Sequence, residues 1–280
     1  MVDLQHIATN IEFCPAGYWR SIQSDGISYP EWGNEACFEV EDSSFWFRHR
    51  NDCILKILEF YPPGGAFFDV GGGNGFVAKA VQDTGVDVVL IEPGPVGVRN
   101  AVRRGVRQAL CGTLEQAGFL EGRIPSVGLF DVIEHIQDDR GFLDTIRRHL
   151  QPQGRLYITT PAFNWLWSNE DVLAGHYRRY TERSLRTLCE SAGYAVECIT
   201  TFFNFLPLPI LAFRALPNRF GIGNRPAVHN TDGLHRDHDL SNPLVRSIIG
   251  SLCRKEQERI AAGRLTRFGA SYLLVAKRVQ

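Results

Sequence analysis

The sequence predicts a doubly wound α/β fold, in which a mostly parallel sheet has helices on both faces. Three observations predict it: short apolar segments alternate with helical patterns, a glycine-rich turn follows the first such segment, and the chain ends on one more apolar segment. Strands that are apolar throughout are typical of parallel sheets buried between helices. The last segment, with no helix after it, predicts an antiparallel strand added at the edge of the sheet.

Seven strands follow from the apolar segments, and the helices follow from the spacing of apolar residues between them. The strands are predicted at 67–70, 86–92, 107–111, 126–130, 155–160, 195–203 and 271–277. Helices are predicted at 53–60, 76–83, 98–105, 138–150 and 242–262, and after Thr181, which can cap a helix N-terminus.

The 280 residues allow one large α/β domain with additions. Residues 1–40 have little period and are interpreted as an N-terminal arm laid over a domain at 41–280. A helical insertion at about 203–266 precedes the last strand. It is expected to shape the pocket of the molecule on which the protein acts, called the acceptor below. It begins with the apolar run Phe202–Phe213, which fits a lid, a face between two copies of the chain in a homodimer, or a membrane contact.

Charge and cysteine content exclude several classes of protein. The net charge is −1, which argues against a nucleic-acid partner. The seven cysteines form no C-x-x-C pair, so neither metal knuckles nor a disulfide framework is expected. The sequence begins without a signal pattern and contains no apolar run of the roughly 18 to 20 residues that span a bilayer. We therefore expect a cytoplasmic protein without stable membrane insertion.

The glycine-rich turn lies within residues 66–79, with Gly71, Gly73 and Gly75 at alternate positions. Such a turn brings the backbone and a helix N-terminus close to a ligand. The dinucleotide fingerprint G-x-G-x-x-G requires glycine where Phe76 stands, and no Gly-Lys-Ser/Thr follows as in a P-loop. Glu92 ends the second strand and can accept hydrogen bonds from ribose hydroxyls. These features favour an adenosine ligand without a pyrophosphate.

An ordered set of motifs over residues 45–200 resembles the class I S-adenosylmethionine-dependent methyltransferases. The set comprises Phe-Asp-Val-Gly-Gly-Gly-Asn-Gly at 68–75, Glu92, Leu-Phe-Asp-Val-Ile-Glu-His at 129–135 and Gly-Arg-Leu-Tyr-Ile-Thr-Thr-Pro at 154–161. Two further stretches, Phe-Trp-Phe-Arg-His-Arg at 45–50 and Gly-His-Tyr-Arg-Arg-Tyr-Thr at 175–181, resemble a bacterial subgroup associated with small-molecule and saccharide pathways.

The resemblance implies a Rossmann-like methyltransferase sheet of seven strands that binds S-adenosyl-L-methionine. The glycine turn would hold the methionine part, Glu92 the ribose, and Asp69 would organise the turn. No acidic side chain stands at the adenine position, where backbone groups would serve instead. The cofactor-binding set is Asp69, Gly71, Gly72, Gly73, Gly75, Glu92, Thr113, Leu114, Asp131 and Arg48; for Arg48 and Arg50 a solvated pair is the alternative to a carboxylate clamp.

Two histidines are the candidate catalytic bases, since a hydroxyl acceptor loses a proton during methyl transfer. His135 follows the fourth strand and His176 lies in a polar loop; a purely structural role is the alternative for each. Asp131, Glu134, His135 and His176 also resemble the Glu-x-x-Glu-His set, completed by a further histidine, of metal-dependent O-methyltransferases of ubiquinone biosynthesis and small-RNA 2′-ends. Many methyltransferases carry a similar motif without a known metal, and no metal is assigned here.

The sequence therefore predicts a methyltransferase that acts on a small-molecule acceptor, with an oxygen nucleophile of a natural-product or saccharide type favoured. Alternatives are the metal-dependent O-methyltransferase, an enzyme acting on RNA, and a non-catalytic cofactor-binding protein. An NAD-dependent oxidoreductase is disfavoured by Phe76.

Overall fold

The structure is a computed structural model that describes residues 1–22, 31–221 and 242–279. Its strands are β1 Ile11–Phe13, β2 Trp19–Ser21, β3 Phe67–Val70, β4 Val88–Glu92, β5 Ala109–Cys111, β6 Ile124–Phe130, β7 Leu150–Pro161, β8 Tyr194–Phe202 and β9 Ser271–Arg278. Its α-helices are α1 Glu31–Glu41, α2 Phe45–Phe60, α3 Phe76–Asp83, α4 Pro95–Arg104, α5 Asp139–His149, α6 Asn169–Leu173, α7 Glu182–Ser191, α8 Pro207–Ile210, α9 Leu216–Arg219 and α10 Pro243–Ala261.

The strands form one sheet in the order β1-β2-β5-β4-β3-β6-β7-β9-β8. From the central β3 the chain first adds β4 and β5 on one side and then returns to place β6 and β7 on the other. The pairs β5-β4, β4-β3, β3-β6 and β6-β7 are all parallel. The point where the direction of winding reverses lies between β3 and β6, and ligands of such sheets bind beyond the carboxyl ends of these strands. The predicted doubly wound α/β fold is confirmed.

The sheet has nine strands within the described residues, and the prediction of seven was wrong. The additional strands, β1 and β2, form an antiparallel hairpin whose second strand pairs in parallel with β5. Each is three residues long and only partly buried, so neither has the apolar run by which the other strands were found. The division of the chain at residue 40 into an arm and a domain stays a prediction.

The last strand is antiparallel to its neighbours, as predicted, but it does not lie at the edge of the sheet. It is inserted between β7 and β8 and pairs with both along its whole length. Residues 271–276 are all buried, which is the burial of an internal strand. The sequence pattern carried this information, because an edge strand rarely has six consecutive buried positions.

Helices cover both faces of the sheet and bury two apolar clusters. On one face, Leu143 of α5 and Leu185 of α7 pack against strand residues such as Leu156. On the other face, α2, α3 and α4 pack against the opposite side of the same strands, as Ile57 and Leu90 show. The sheet is thereby shielded from water except at its ends, where the site must lie.

The insertion is anchored to the rest of the molecule by Glu256 of α10, a helix that was predicted at 242–262 and is confirmed. The Glu256 carboxylate lies 2.7 Å from His49 Nε2 of α2, with both side chains almost completely buried. It also accepts hydrogen bonds from the backbone N–H groups of Phe203, at 2.6 Å, and Asn204, at 3.1 Å. Burial raises the pKa of Glu256, but its hydrogen bonds outweigh this and hold the pKa below its usual value.

The middle of the insertion's first helical stretch departs from α-helical geometry. Between α8 and α9, residues Leu211–Ala215 form a π-helix, so that 207–219 is helical throughout. None of the helices in the described ranges combines the length and the apolar character that crossing a bilayer requires.

Candidate active site

The glycine turn after β3 is held by close packing that admits no side chain at three of its positions, Gly71, Gly72 and Gly75. Gly71, Gly73 and Gly75 have φ values of +72°, +52° and +73°, a region that favours glycine. A Cβ on Gly72 would stand 2.5 Å from Leu90 Cδ1 and 2.7 Å from a carboxyl oxygen of Asp69. The side chains of Leu90 and Asp69 therefore pack closely against the turn, and only glycine fits its shape.

Gly73 is the position in the turn where space remains. A Cβ built there would meet only Asn34 Oδ1 within 4 Å, at 3.7 Å. The Gly73 N–H donates to Glu92 Oε2 at 2.9 Å, and the Gly94 N–H donates to Glu92 Oε1 at 2.7 Å. Burial raises the pKa of Glu92, and the two amides oppose that shift. An open backbone face beside a buried carboxylate fits a ligand that carries hydroxyl groups.

Asp69 lies beneath the turn. It is 1% exposed. Burial raises its pKa to about 7, against the opposing charge of Arg50 and the backbone N–H of Ala78. One of its oxygens occupies the space where a Gly72 side chain would project. This position supports the predicted role of Asp69 in organising the turn.

Helix α1 closes the turn from the side, which sequence reasoning did not anticipate. Asn74, within the turn, donates from Nδ2 to the backbone oxygen of Asn34 at 2.7 Å and to Glu41 Oε1 at 3.2 Å. Arg104 of α4 holds the other Glu41 oxygen at 2.8 Å. Asn34 is 7% exposed and its side chain faces Gly73. No pattern singled out Asn34, because it lies in a stretch that lacks a regular period.

Asp131 follows β6 and pairs with Arg50 of α2. Its Oδ2 lies 2.6 Å from Arg50 Nε, and its Oδ1 accepts a hydrogen bond from Thr159 at 3.1 Å. Its φ of +57° is strained for a residue other than glycine, and such strain is common at functional sites. The Arg50 guanidinium also lies 5.6 Å from the centre of the Trp46 ring. The Arg50–Asp131 ion pair therefore lies beside the glycine turn.

Arg48, the arginine assigned to the cofactor from sequence, lies elsewhere. It is exposed at the start of α2 and donates to the backbone oxygen of Ser43 at 3.0 Å. In the part of the chain that the structure describes, Arg48 lies away from the glycine turn, so Arg50, which pairs with Asp131, is the better-placed of the two arginines. The difference of two residues rotates the side chain by more than half a helical turn.

The adenine candidates follow β5, the neighbour of β4. Thr113 exchanges hydrogen bonds with Gln116: its backbone N–H donates to Gln116 Oε1, and its hydroxyl accepts from the Gln116 N–H, both at 3.2 Å. Leu114 is 2% exposed and belongs to the core. The side chain of Leu114 therefore packs into the core and supports this loop. The contact of Thr113 and Leu114 with a ligand stays a prediction.

The two predicted bases lie side by side. The rings of His135 and His176 are 4.7 Å apart between centroids and inclined at 79°. Burial and the neighbouring His176 lower the pKa of His135 to about 4, against the opposing effect of Asp131. Sequence placed these residues about forty positions apart, and the fold brings them into contact at the carboxyl end of β6.

Glu134 completes this group. It is fully buried; its Oε2 accepts a hydrogen bond from Thr160 at 3.2 Å, while Oε1 has no hydrogen-bond partner within the described residues. Burial, reinforced by Asp131, raises its pKa well above the usual value. Ligand atoms of Glu134, His135 and His176 all lie within 4.8 Å of one another. Asp131, the fourth member of the sequence-predicted set, instead pairs with Arg50.

Asp171 of α6 orients His176 and was missed by sequence reasoning. Its Oδ1 lies 2.9 Å from His176 Nδ1 and accepts a hydrogen bond from Arg179 Nε at 2.8 Å. Burial raises the pKa of Asp171, but these two partners outweigh it and hold the pKa below its usual value. The only sequence signal was the capping pattern Ser168-x-x-Asp171, which marks the start of a helix without indicating a partner.

The two halves of the site meet where β3 and β6 run side by side. A Cβ on Gly71 would stand 2.8 Å from Val132 Cγ2, so the turn touches the residue after Asp131. Val132 stands three residues before His135, so the glycine cradle and the pair of histidines lie at the same edge of the sheet. This fold and a glycine cradle with a buried carboxylate beside it are typical of α/β proteins that bind a nucleoside-type ligand at this edge of the sheet.

Comparison with known proteins identifies the class. A protein family described as a methyltransferase domain matches residues 46–199, more than half of the chain, and the chain belongs to this family. A probable S-adenosylmethionine-dependent methyltransferase of Mycolicibacterium smegmatis is 26% identical over 161 residues, which is 56% of this chain and 62% of that protein. The mitochondrial ubiquinone biosynthesis O-methyltransferase of Schizosaccharomyces pombe is 28% identical over 121 residues, 41% of each chain.

Among solved structures, phosphoethanolamine N-methyltransferase 2 of Haemonchus contortus in complex with S-adenosyl-L-methionine superimposes with a TM-score of 0.55. It is 18% identical and the match covers 91% of this chain and 59% of that one, so the likeness concerns the fold. The chain spans less than two thirds of the length of both curated relatives. The matched region is a class I methyltransferase domain, and its cofactor is S-adenosylmethionine.

Proposed function

We propose that the whole protein is a methyltransferase that transfers the methyl group of S-adenosylmethionine to an oxygen of a small-molecule acceptor, with His176 as the base. The observation that carries the proposal is the Asp171–His176 pair, next to His135 and adjoining the glycine cradle. A carboxylate bonded to one ring nitrogen fixes the tautomer and stabilises the protonated ring, leaving the other nitrogen to accept a proton. Such an arrangement serves the deprotonation of a hydroxyl group.

The cofactor would lie along the open face of Gly73, with its ribose against Glu92. Gly71, Gly72 and Gly75 shape the cradle, Asp69 supports it, and the cofactor supplies the electrophilic methyl group. Methyl transfer is an in-line displacement, so the chain's contribution is to position the acceptor and to remove its proton. We assign the binding of the cofactor's carboxylate to Arg50, which also pairs with Asp131, in place of Arg48.

Support for a small-molecule oxygen acceptor comes from three directions. The net charge of −1 does not favour nucleic acid. The resemblance of the stretches at 45–50 and 175–181 points to small-molecule and saccharide pathways. One relative is an O-methyltransferase of ubiquinone biosynthesis.

We place the enzyme in the cytoplasm, in keeping with its seven free cysteines.

The proposal is tested by separating cofactor binding from turnover. S-adenosylmethionine binding is measured by calorimetry, and release of the demethylated cofactor is measured with a panel of phenols, catechols and sugar hydroxyl compounds. On an acceptor that is turned over, Asp171→Asn lowers kcat by about 10²- to 10⁴-fold, the usual contribution of a positioned base, with cofactor affinity unchanged. His6→Ala, at an exposed histidine, is the matched control. An Asp171→Asn enzyme with full kcat would refute the role of the pair.

A second candidate, a metal-dependent O-methyltransferase, is favoured by the buried Glu134 oxygen that has no hydrogen-bond partner within the described residues. Carboxylate oxygen and imidazole nitrogen suit a divalent cation, and Asp171 would hold the ligand His176 from behind, as carboxylates commonly do at metal sites. The ligands would be Glu134, His135 and His176, and the cation would polarise the acceptor oxygen.

The metal candidate has its own test. Calorimetric titration of the protein with Mg²⁺, Mn²⁺ and Zn²⁺ should show one site that Glu134→Gln removes, and chelation should abolish turnover. Unchanged turnover after complete chelation excludes the metal and leaves His176 as a simple base.

A further inference from the structure

The insertion turns an apolar helical face toward solvent. Within the helical stretch 207–219 and the residue after it, Leu208 is 66%, Phe213 80% and Phe220 74% exposed. Pro207 and Ala215 of the same stretch are buried. We call the exposed side the apolar ridge; it consists of Leu208, Pro209, Ala212, Phe213, Leu216 and Phe220. Leu208, Ala212, Leu216 and Phe220 recur at intervals of four residues, as do Pro209 and Phe213, and this is the spacing of one helical face.

The ridge belongs to a locally cationic part of an otherwise neutral chain. Residues 198–221 and 242–255 contain five cationic residues and no acidic one, whereas the whole chain contains 30 cationic and 31 acidic residues. Two of the five, Arg214 and Arg219, lie on the same helical stretch as the ridge. An apolar helical face with cationic flanks is typical of helices that lie in the surface of an anionic bilayer.

The same charge argues against a second copy of the chain as the occupant. A two-fold interface would place the same surface of both copies together, so that exposed cationic residues beside the ridge, such as Arg219, would approach those of the other copy. Like charges at an interface oppose association, whereas anionic lipid headgroups would pair with them.

The helical stretch 207–219, which carries the ridge, packs through its arginines against the segment that holds the candidate base. Arg219 donates to the backbone oxygen of Trp165 at 3.0 Å, and Arg214 lies 4.0 Å from Glu170. Glu170 precedes Asp171 in α6. The next residue, Val172, is 58% exposed and Tyr177, beside His176, is 55% exposed. Exposed apolar side chains therefore occur both on the ridge and beside the candidate base.

We propose that the apolar ridge docks the protein on the surface of an anionic lipid bilayer. Docking there would bring the histidine pair to the membrane surface, where an acceptor with an apolar tail resides. This second step, that the acceptor is an amphiphile, rests on the proposed function; docking itself does not.

The test uses the full chain and vesicles of defined composition in a co-sedimentation assay. The protein is expected to bind vesicles that contain phosphatidylglycerol and to bind weakly to vesicles of phosphatidylcholine alone. Phe213→Ser should reduce the apparent vesicle affinity by about tenfold or more, since one buried phenyl ring contributes roughly that factor. Phe60→Ser removes a phenylalanine that is 49% exposed at the end of α2, and should bind as the parent protein does.

Three results would overturn the proposal. They are no binding to phosphatidylglycerol vesicles, equal losses in both variants, and a dimer in sedimentation velocity without lipid that Phe213→Ser dissociates, since this would assign the ridge to a second copy. Thermal unfolding of each variant checks the fold. Cofactor affinity, measured without vesicles, reports separately on the proposed function, so failure of one proposal is distinguishable from failure of the other.

Discussion

Gly73→Ala tests where the cofactor lies, because Gly73 combines a strained backbone with open space. Its φ is +52°, and only Asn34 Oδ1 would lie within 4 Å of the added Cβ. The substitution therefore adds a methyl group to the face along which the cofactor is proposed to pass. It leaves the packing beneath the turn unchanged.

Gly85→Ala is the matched control. Gly85 follows α3, has φ of +94°, and an added Cβ would meet no atom within 4 Å. An alanine in this region of φ costs about 1 to 2 kcal/mol at either position. For a chain of this size, each kcal/mol lowers Tm by roughly 2 to 4 °C. Both variants should therefore lose a similar few degrees, so that stability does not distinguish them.

Cofactor binding should distinguish the two variants. We expect Gly73→Ala to raise the Kd for S-adenosylmethionine by at least about tenfold, which corresponds to roughly 1.4 kcal/mol of lost contact, and Gly85→Ala to leave it unchanged. Isothermal titration calorimetry on both proteins measures this directly. Equal affinities in the two variants, with equal losses of Tm, would show that the cofactor does not cross the open face of Gly73.

Two further predictions concern stability. Between about pH 4 and pH 7 native Asp69, with its pKa of about 7, holds a proton that the unfolded chain has released, so this residue makes the free energy of unfolding fall as pH rises. Urea unfolding at pH 5 and pH 8 should show a smaller fall for Asp69→Asn than for the parent, and identical slopes would contradict the assignment. Glu256→Ala leaves His49 and two backbone amides without their acceptor and should lower the free energy of unfolding by about 3 to 5 kcal/mol. Glu258→Ala, at an exposed position of the same helix, should lower it by less than about 0.5 kcal/mol. Similar losses in the two variants would refute the anchoring role of Glu256.

The parts of the fold that the sequence predicted are those specified by local pattern. The strands at 67–70 and 88–92 are buried on both faces, so their residues are apolar except for Asp69 and Glu92, which belong to the site. The glycine turn was predicted because positive φ and the absence of a side chain leave few alternatives to glycine. In both cases the physical requirement acts on consecutive residues and is visible in them.

The parts that were missed depend on contacts between distant residues. Strands β1 and β2 are stabilised by pairing with each other and with β5, not by their own composition. Asp171 faces His176 only because a polar loop returns over α6. The choice between Arg48 and Arg50 depends on which side of α2 faces β6. Two arginines two positions apart do not indicate which side of the helix is buried.

Helix α6 connects the apolar ridge with the candidate base. The strengths of the contacts on its two sides indicate that the ridge and the base act independently. The Glu170–Arg214 pair is partly exposed and 4.0 Å apart, and pairs of this kind contribute at most about 1 kcal/mol. Asp171, by contrast, is 1% exposed and held by His176, Arg179 and the Ser168 amide. Loss of the weaker contact cannot displace the stronger set. Phe213→Ser should therefore reduce the apparent vesicle affinity by about tenfold or more yet leave kcat on a soluble acceptor within about twofold. A parallel loss of kcat would show that the ridge also shapes the acceptor pocket.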